Sequence, residues 1–78
     1  MEHVVKIKLE NILRNAEVKT VNTRWGSIEL KIARRKFRVY GQLVNAYSEE
    51  KNMFFFIVPE NDYAFAIVEY ENHMDIEE

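Results

Sequence analysis

The sequence predicts an α+β fold, in which one N-terminal helix packs on a four- to five-stranded antiparallel β-meander that can curl into a small barrel. Two patterns indicate this fold. Apolar residues near the N-terminus recur at helical spacing, and from residue 27 onward they occur in short alternating runs separated by polar turns. With 78 residues, 47% of them hydrophobic, the chain is long enough for one small domain with a thin core.

The segment 3–17 fits two kinds of secondary structure. Five apolar residues fall within an arc of about 100° on a helix. They are Val5, Leu9, Ile12, Leu13 and Ala16. A strand would instead explain why Val5, Ile7 and Leu9 alternate with charged residues. We favour a helix near 4–16, and the sequence leaves residues 4–9 open between helix and strand.

The remainder of the domain reads as strands joined by polar turns. The predicted strands are 18–24, 28–32, 37–47, 53–58 and 63–70, with turns at 26–27, 33–36, 48–52 and 59–62. A bulge at Gly41 is an alternative within the third strand. Met53–Val58 is apolar on both of its sides, which predicts a central strand.

The turn at 33–36 would create a hairpin with a defined register. It pairs Ile32 with Phe37, Lys31 with Arg38, and Leu30 with Val39. Lys31 opposite Arg38 would favour an anion between the two side chains, because like charges facing each other across strands are destabilising.

The turn at 59–62 likewise predicts which residues share a face. On one face Phe55 meets Ala66 and Ile57 meets Ala64, and the small alanines leave room for the helix. We therefore expect the helix to lie over Met53, Phe55, Ile57, Ala64, Ala66 and Val68. The opposite face would pair Val58 with Tyr63, Phe56 with Phe65, and Phe54 with Ile67. It is a candidate interface formed by Phe54, Phe56, Tyr63 and Phe65.

Charge divides the chain into a basic and an acidic half. Residues 1–40 carry ten Lys and Arg against four Glu, whereas residues 41–78 carry one Lys against nine acids. We expect one domain over 1–70 followed by an acidic, loose tail over 71–78 that can occupy the basic surface.

Several kinds of chemistry lack support in the sequence. The chain has no Cys, and its two His residues, at positions 3 and 73, lack the spacing of metal ligands. No nucleophile with a neighbouring base and no phosphate loop is present. We expect neither metal nor cofactor and no enzymatic activity. The chain also lacks a run of about 18 apolar residues, so a cytoplasmic protein without a membrane partner is expected.

A cluster of basic residues is the main functional feature. It comprises Lys31, Arg34, Arg35, Lys36 and Arg38, with Tyr40 beside it. Cations next to exposed aromatic rings are typical of proteins that bind single-stranded nucleic acid, since phosphates pair with the cations and bases stack on the rings. The first prediction is therefore a small binding module that uses a basic β-hairpin. The alternative is a protein-interaction or self-associating module, an inhibitor or adaptor, that uses the aromatic face.

The strand pattern from Ile28 to Phe56 also resembles the strand core of RelE-type ribonuclease toxins. The resemblance includes Lys36-Phe37-Arg38-Val39-Tyr40, in which Arg38 matches that family's strand arginine. It implies a divergent ribonuclease as a minor alternative.

Overall fold

The computed structural model describes residues 2–58 and 60–78. It contains one helix and a six-stranded sheet, which confirms the mixed composition, with β-structure dominant. The elements are α1 (Glu2–Ile12), β1 (Glu17–Thr23), β2 (Gly26–Val39), β3 (Gln42–Ser48), β4 (Met53–Val58), β5 (Tyr63–Glu69) and β6 (Ile76–Glu77).

Helix α1 follows the predicted apolar arc but is shorter than expected. Val5 and Leu9 are buried, whereas Val4 and Ile7, which fall off the arc, are exposed. The helix ends at Ile12, and Asn15 has a left-handed φ of 58°. Asn tolerates this conformation better than most residues and commonly ends helices.

Strands β1 to β5 pair in sequence order, and each of these pairs is antiparallel. A single parallel pair, Asn22 with Tyr63, joins β1 to β5 and completes a ring of strands. β6 pairs with the C-terminal end of β2, at Arg38 and Val39. The predicted antiparallel meander is thus confirmed in part, since the ring closes through one parallel pair and the sheet has a sixth strand.

The register between β4 and β5 agrees with the prediction over most of its length. The large-on-small pairs Phe55–Ala66 and Ile57–Ala64 are present, as are Val58–Tyr63 and Phe56–Phe65. The predicted pairing of Phe54 with Ile67 is wrong, because the register shifts there and Phe54 pairs with Val68. The turns expected at 48–52 and 59–62 fall between the correct strands, although Pro59 lies outside the described residues.

The turn expected at 33–36 is wrong. β2 continues through these residues and turns at Tyr40 and Gly41, whose φ angles of 51° and 77° suit a two-residue hairpin. Arg38 and Val39 therefore face Leu43 and Gln42 of β3. The predicted pairs Ile32–Phe37, Lys31–Arg38 and Leu30–Val39 do not form.

Burial explains why the alternation of apolar residues changes phase along β2. In the first half of β2, the side chains of Ile28 and Leu30 pack in one core. In the second half, those of Phe37 and Val39 pack in another core on the opposite face. A continuous strand presents even and odd positions to opposite sides. The change of phase that suggested a turn is thus the point at which β2 passes from one core to the other.

The two cores also correct the expected position of the helix. Val5 and Leu9 pack with Phe37, Val39 and Phe54 in the helix-side core. Phe55, Ile57 and Ala64 instead belong to an inner core, where Val21, Ile28 and Leu30 of the β1–β2 hairpin cover them. The room left by the small alanines is taken by this hairpin and not by α1.

Residues 71–78 differ from the loose tail that the sequence suggested. Met74 and Ile76 are buried in the helix-side core. Ile76 pairs with Val39, and Glu77 pairs with Arg38. Two apolar side chains in a short acidic segment are enough to dock it, because each buries a full side chain against the helix and sheet.

Candidate functional site

An irregularity in β2 presents three consecutive cations to solvent. Between the pairs Ile32–Ala46 and Phe37–Val44, residues 33–36 of β2 lie opposite Asn45 alone. A regular strand would turn alternate side chains inward. Here the extra residues let Arg34, Arg35 and Lys36 all remain exposed. The bulge is anchored at both ends, because Ala33 and Phe37 are buried in the helix-side core.

Asn45 supports this region from the neighbouring strand. Its side-chain oxygen accepts a hydrogen bond from the Ile57 N–H at 2.8 Å, and its amide nitrogen donates to the Ile57 carbonyl at 3.4 Å. These bonds satisfy the β4 backbone beyond the Ala46–Phe55 pair. The bulge therefore lies next to a side-chain bridge that holds β3 to β4.

The end of α1 brings a fourth cation to the same place. Arg14 follows the helix, where its N–H bonds the Asn11 carbonyl at 3.3 Å. Its guanidinium donates to the Asn11 side-chain oxygen at 2.9 Å. This contact orients Arg14 and leaves further guanidinium donors available.

Arg14 and the bulge of β2 line an open groove with a volume of about 470 Å³, which we call the basic groove. Its lining residues are Asn11, Ile12, Arg14, Asn15, Arg34, Arg35, Lys36, Phe37 and Glu78. Four cations thus face one carboxylate side chain. Within residues 2–58 and 60–78, no carboxylate lies within ion-pair distance of any of the four.

Lys31, the first residue of the predicted cluster, lies elsewhere. It pairs with Glu49 and lines a second groove of about 490 Å³ on another side of α1. We call this the balanced groove, and it is lined by Lys6, Leu9, Glu10, Leu13, Lys31, Tyr47, Glu49, Tyr70 and Asn72. Because Lys31 faces Tyr47 and not Arg38, the predicted like-charge pair does not exist.

A hydrogen bond fixes one side chain of the balanced groove. The Tyr47 hydroxyl donates to the Asn52 side-chain oxygen at 2.5 Å. Burial, followed by the neighbouring Tyr70 and the charge of Glu49, raises the pKa of Tyr47. The groove has two cations, Lys6 and Lys31, and two carboxylates, Glu10 and Glu49. The Tyr47 hydroxyl stays protonated and adds no charge.

Arg38 and Tyr40 lie at the end of β2, beside residues 71–78. The Arg38 guanidinium donates to the Gly41 carbonyl at 2.9 Å. The Tyr40 hydroxyl donates to the Glu71 carboxylate at 3.5 Å, while 44% of the residue stays exposed. Partial burial and the charges of Glu71 and Asp75 raise the pKa of Tyr40. Both side chains therefore contact their own turn or the acidic segment.

The predicted aromatic interface is divided as well. Phe54 is fully buried in the helix-side core and does not lie on an exposed face. Phe56 and Tyr63 are half-buried, and Phe65 is 53% exposed, with its ring centroid 4.9 Å from that of Tyr63. The Lys36 ammonium lies 5.7 Å from the Phe56 ring centroid, so the aromatic face adjoins the basic bulge.

Two other features bear on function. In the described part of the chain, no group of three or more His, Cys, Asp or Glu side chains is placed to hold a metal ion. Among the same residues, no helix has both the length and the apolar character needed to cross a membrane.

Sequence reasoning missed Arg14 because it lies 20 positions before Arg34 and shares no motif with it. Asn15 offered a hint, since Asn is the non-glycine residue that most readily ends a helix in a left-handed conformation. An earlier helix end at that point would have placed Arg14 in a connection rather than on a helical face.

Comparison of the chain with protein families, with curated proteins and with solved structures finds no significant match.

Proposed function

We propose that this protein binds the phosphate backbone of nucleic acid through the basic groove. The observation that supports the proposal is the convergence on one open groove of Arg34, Arg35 and Lys36 from β2 and of Arg14 from the turn after α1. Phosphate groups are the anions that repeat along a strand, and several cations side by side can bind several of them.

The types of cation favour phosphate further. Three of the four are arginines, whose planar guanidinium groups bind phosphate oxygens in pairs. Ordinary surface cations are often neutralised by neighbouring carboxylates, as Lys31 is by Glu49. In the described part of the chain the groove cations have no such partner within ion-pair distance. An external anion can therefore bind without first displacing an ion pair.

The groove itself offers little to distinguish one base from another. The aromatic residue that lines it, Phe37, is buried and cannot stack with a base. Contacts from exposed cations to phosphates position a strand without reading its sequence. We expect binding through this groove to be similar for all sequences.

The test compares two double variants that remove the same charge. Arg34→Ala/Arg35→Ala should lower the log-log salt slope by about 1.4, at about 0.7 for each lost contact with a single strand. At 0.1 M salt this corresponds to roughly 25-fold weaker binding. Lys6→Ala/Lys31→Ala, in the balanced groove, should change the affinity less than about twofold. Fluorescence anisotropy of a labelled oligonucleotide measures both quantities.

Two results would contradict the proposal. One is equal weakening by the two double variants, which would indicate attraction to net charge only. The other is no binding of DNA or RNA by the native protein at low salt. Co-purification of material absorbing at 260 nm that high salt removes would support it.

The exposed aromatic face favours a second candidate function, namely contact with another protein or with a second copy of this chain. Phe65 is 53% exposed and stacks edge-on with Tyr63, and large exposed aromatic residues are enriched at protein interfaces. Sedimentation over a range of concentrations tests self-association, since a monomer at every concentration contradicts it.

A further inference from the structure

The turn between β1 and β2 holds the single tryptophan of the chain, Trp25, in a fixed position. The Thr23 hydroxyl accepts a hydrogen bond from the Trp25 N–H at 3.1 Å and donates one to the Gly26 carbonyl at 3.0 Å. Gly26 adopts a φ of 97°, which few other residues could adopt. The backbone that carries Trp25 is thus constrained on both sides.

The Trp25 ring is anchored by one aromatic contact and remains partly exposed. It meets the fully buried Phe55 in a T-shaped contact, with ring centroids 6.1 Å apart and planes at 83°. Even so, 44% of the residue is exposed. A large ring that is oriented by the inner core and yet open to solvent loses little conformational entropy when a ligand stacks on it.

Two cations from different turns accompany this ring. The Arg24 guanidinium carbon lies 5.4 Å from the ring centroid, and the Lys51 ammonium lies 5.7 Å from it. Lys51 is positioned by its own N–H, which donates to the buried Ser48 hydroxyl at 2.9 Å. Within residues 2–58 and 60–78, neither cation forms an ion pair with a carboxylate.

We infer that Trp25, Arg24 and Lys51 form a second contact for the same strand, at which an unpaired base stacks on the indole ring and its phosphate binds the two cations. This inference rests on the proposed function of the basic groove. Base stacking on an aromatic ring beside cations is the usual way in which single strands are bound without sequence preference. Bases within a duplex are already stacked and cannot reach the ring, so the site selects single strands.

The distance between the two contacts sets a length requirement. β1 and β2 pair from Glu17–Ile32, near the basic groove, to Thr23–Gly26, beside Trp25. Six residue steps at about 3.3 Å place the contacts roughly 20 Å apart. About six stacked nucleotides at 3.4 Å each span that distance. Shorter strands reach one contact only and should lack the added affinity of joining two.

The test uses Trp25 as its own reporter. Titration of the full chain with oligothymidylates of four, eight and twelve nucleotides should quench the tryptophan fluorescence, with affinity rising between four and eight and then levelling off. In anisotropy titrations of a labelled oligonucleotide, which do not need the tryptophan signal, Trp25→Ala should weaken binding roughly 5- to 150-fold, the range for loss of one stacked base. Trp25→Phe, which keeps an aromatic ring, should weaken binding less than Trp25→Ala.

Controls separate this site from the basic groove and from unfolding. Ile7→Ala removes an exposed apolar side chain of α1 and should leave affinity unchanged, while circular dichroism checks that each variant is folded. Binding seen by anisotropy without quenching would overturn the Trp25 site and leave the basic groove intact. If Arg34→Ala/Arg35→Ala leaves the quenching titration unchanged, the Trp25 site is supported and the basic groove is rejected as a contact. A duplex that quenches as strongly as a single strand would overturn the stacking mechanism.

Discussion

The basic groove and the balanced groove flank the same helix and receive cations from the same strand, yet their charges are arranged differently. Lys31, just before the bulge of β2, pairs with Glu49, whereas Arg34 and Arg35 within the bulge point into a groove with a single carboxylate side chain. Sequence proximity therefore does not determine whether a cation is available to a ligand. What determines it is whether the element that faces the cation carries a carboxylate.

Arg14→Ala gives the largest effect expected from a single change in this comparison. Arg14 is the groove cation contributed from the helix side, and its loss should remove about one phosphate contact. Affinity for a single strand should fall about fivefold at 0.1 M salt. Arg14→Lys keeps the charge and should recover most of the loss in the same anisotropy titration. A loss that Lys does not recover would indicate a requirement for the guanidinium fork.

Glu78→Gln tests whether the remaining carboxylate limits the basic groove. Removing it should raise affinity for a single strand about two- to fivefold at low salt, up to the value of one phosphate contact. Glu60→Gln makes the same charge change in the 59–62 turn and serves as the matched control. If both variants strengthen binding equally, Glu78 has no local effect.

Deleting residues 71–78 is not an equivalent experiment. The deletion removes Met74 and Ile76 from the helix-side core along with the acids. Replacement of a single buried residue of this size by Ala already costs about 2–5 kcal/mol of unfolding free energy. The point substitution therefore isolates charge, whereas the deletion combines charge with packing.

Glu49→Gln should have the smallest effect and bears most directly on the difference between the grooves. The substitution removes the ion-pair partner of Lys31 and leaves Glu10 in place. The affinity of the balanced groove for a single strand should therefore rise at most about twofold. The unfolding free energy should change by less than about 1 kcal/mol, because the ion pair is exposed. Glu50→Gln, in the same turn, is the control. A gain as large as that from Glu78→Gln would show that the two grooves are equivalent binding sites.

The parts of the fold that the sequence predicted are those fixed by local pattern. The β4–β5 register follows from the turn at 59–62 and from large residues facing Ala64 and Ala66. The unpredicted parts depend on tertiary context. The phase change in β2 fits a turn and a passage between two cores equally well. The pairing of β2 with β3 and the packing of Ile28 and Leu30 in the inner core distinguish the two.

The candidate site shows the same limit. The sequence identified Arg34, Arg35 and Lys36, which the bulge keeps together on one surface. It also grouped Lys31 and Arg38 with them, although the structure pairs one with Glu49 and bonds the other to the Gly41 carbonyl. Their partners, Glu49 and Gly41, lie in turns whose positions relative to β2 depend on the register of that strand. The register of β2 was the main error of the prediction.

The docking of residues 74–76 beside α1 bears on the order in which the molecule folds. Lys8 donates to the Ile76 carbonyl at 3.4 Å, a contact across 68 positions of sequence. The helix-side core therefore requires closure of nearly the longest loop that this chain can form, whereas the buried residues of the inner core are no further apart than 21 and 64. Loop-closure entropy opposes distant contacts and slows their formation. We expect the inner core to form first, and the surface that carries the basic groove to be completed in the last step of folding.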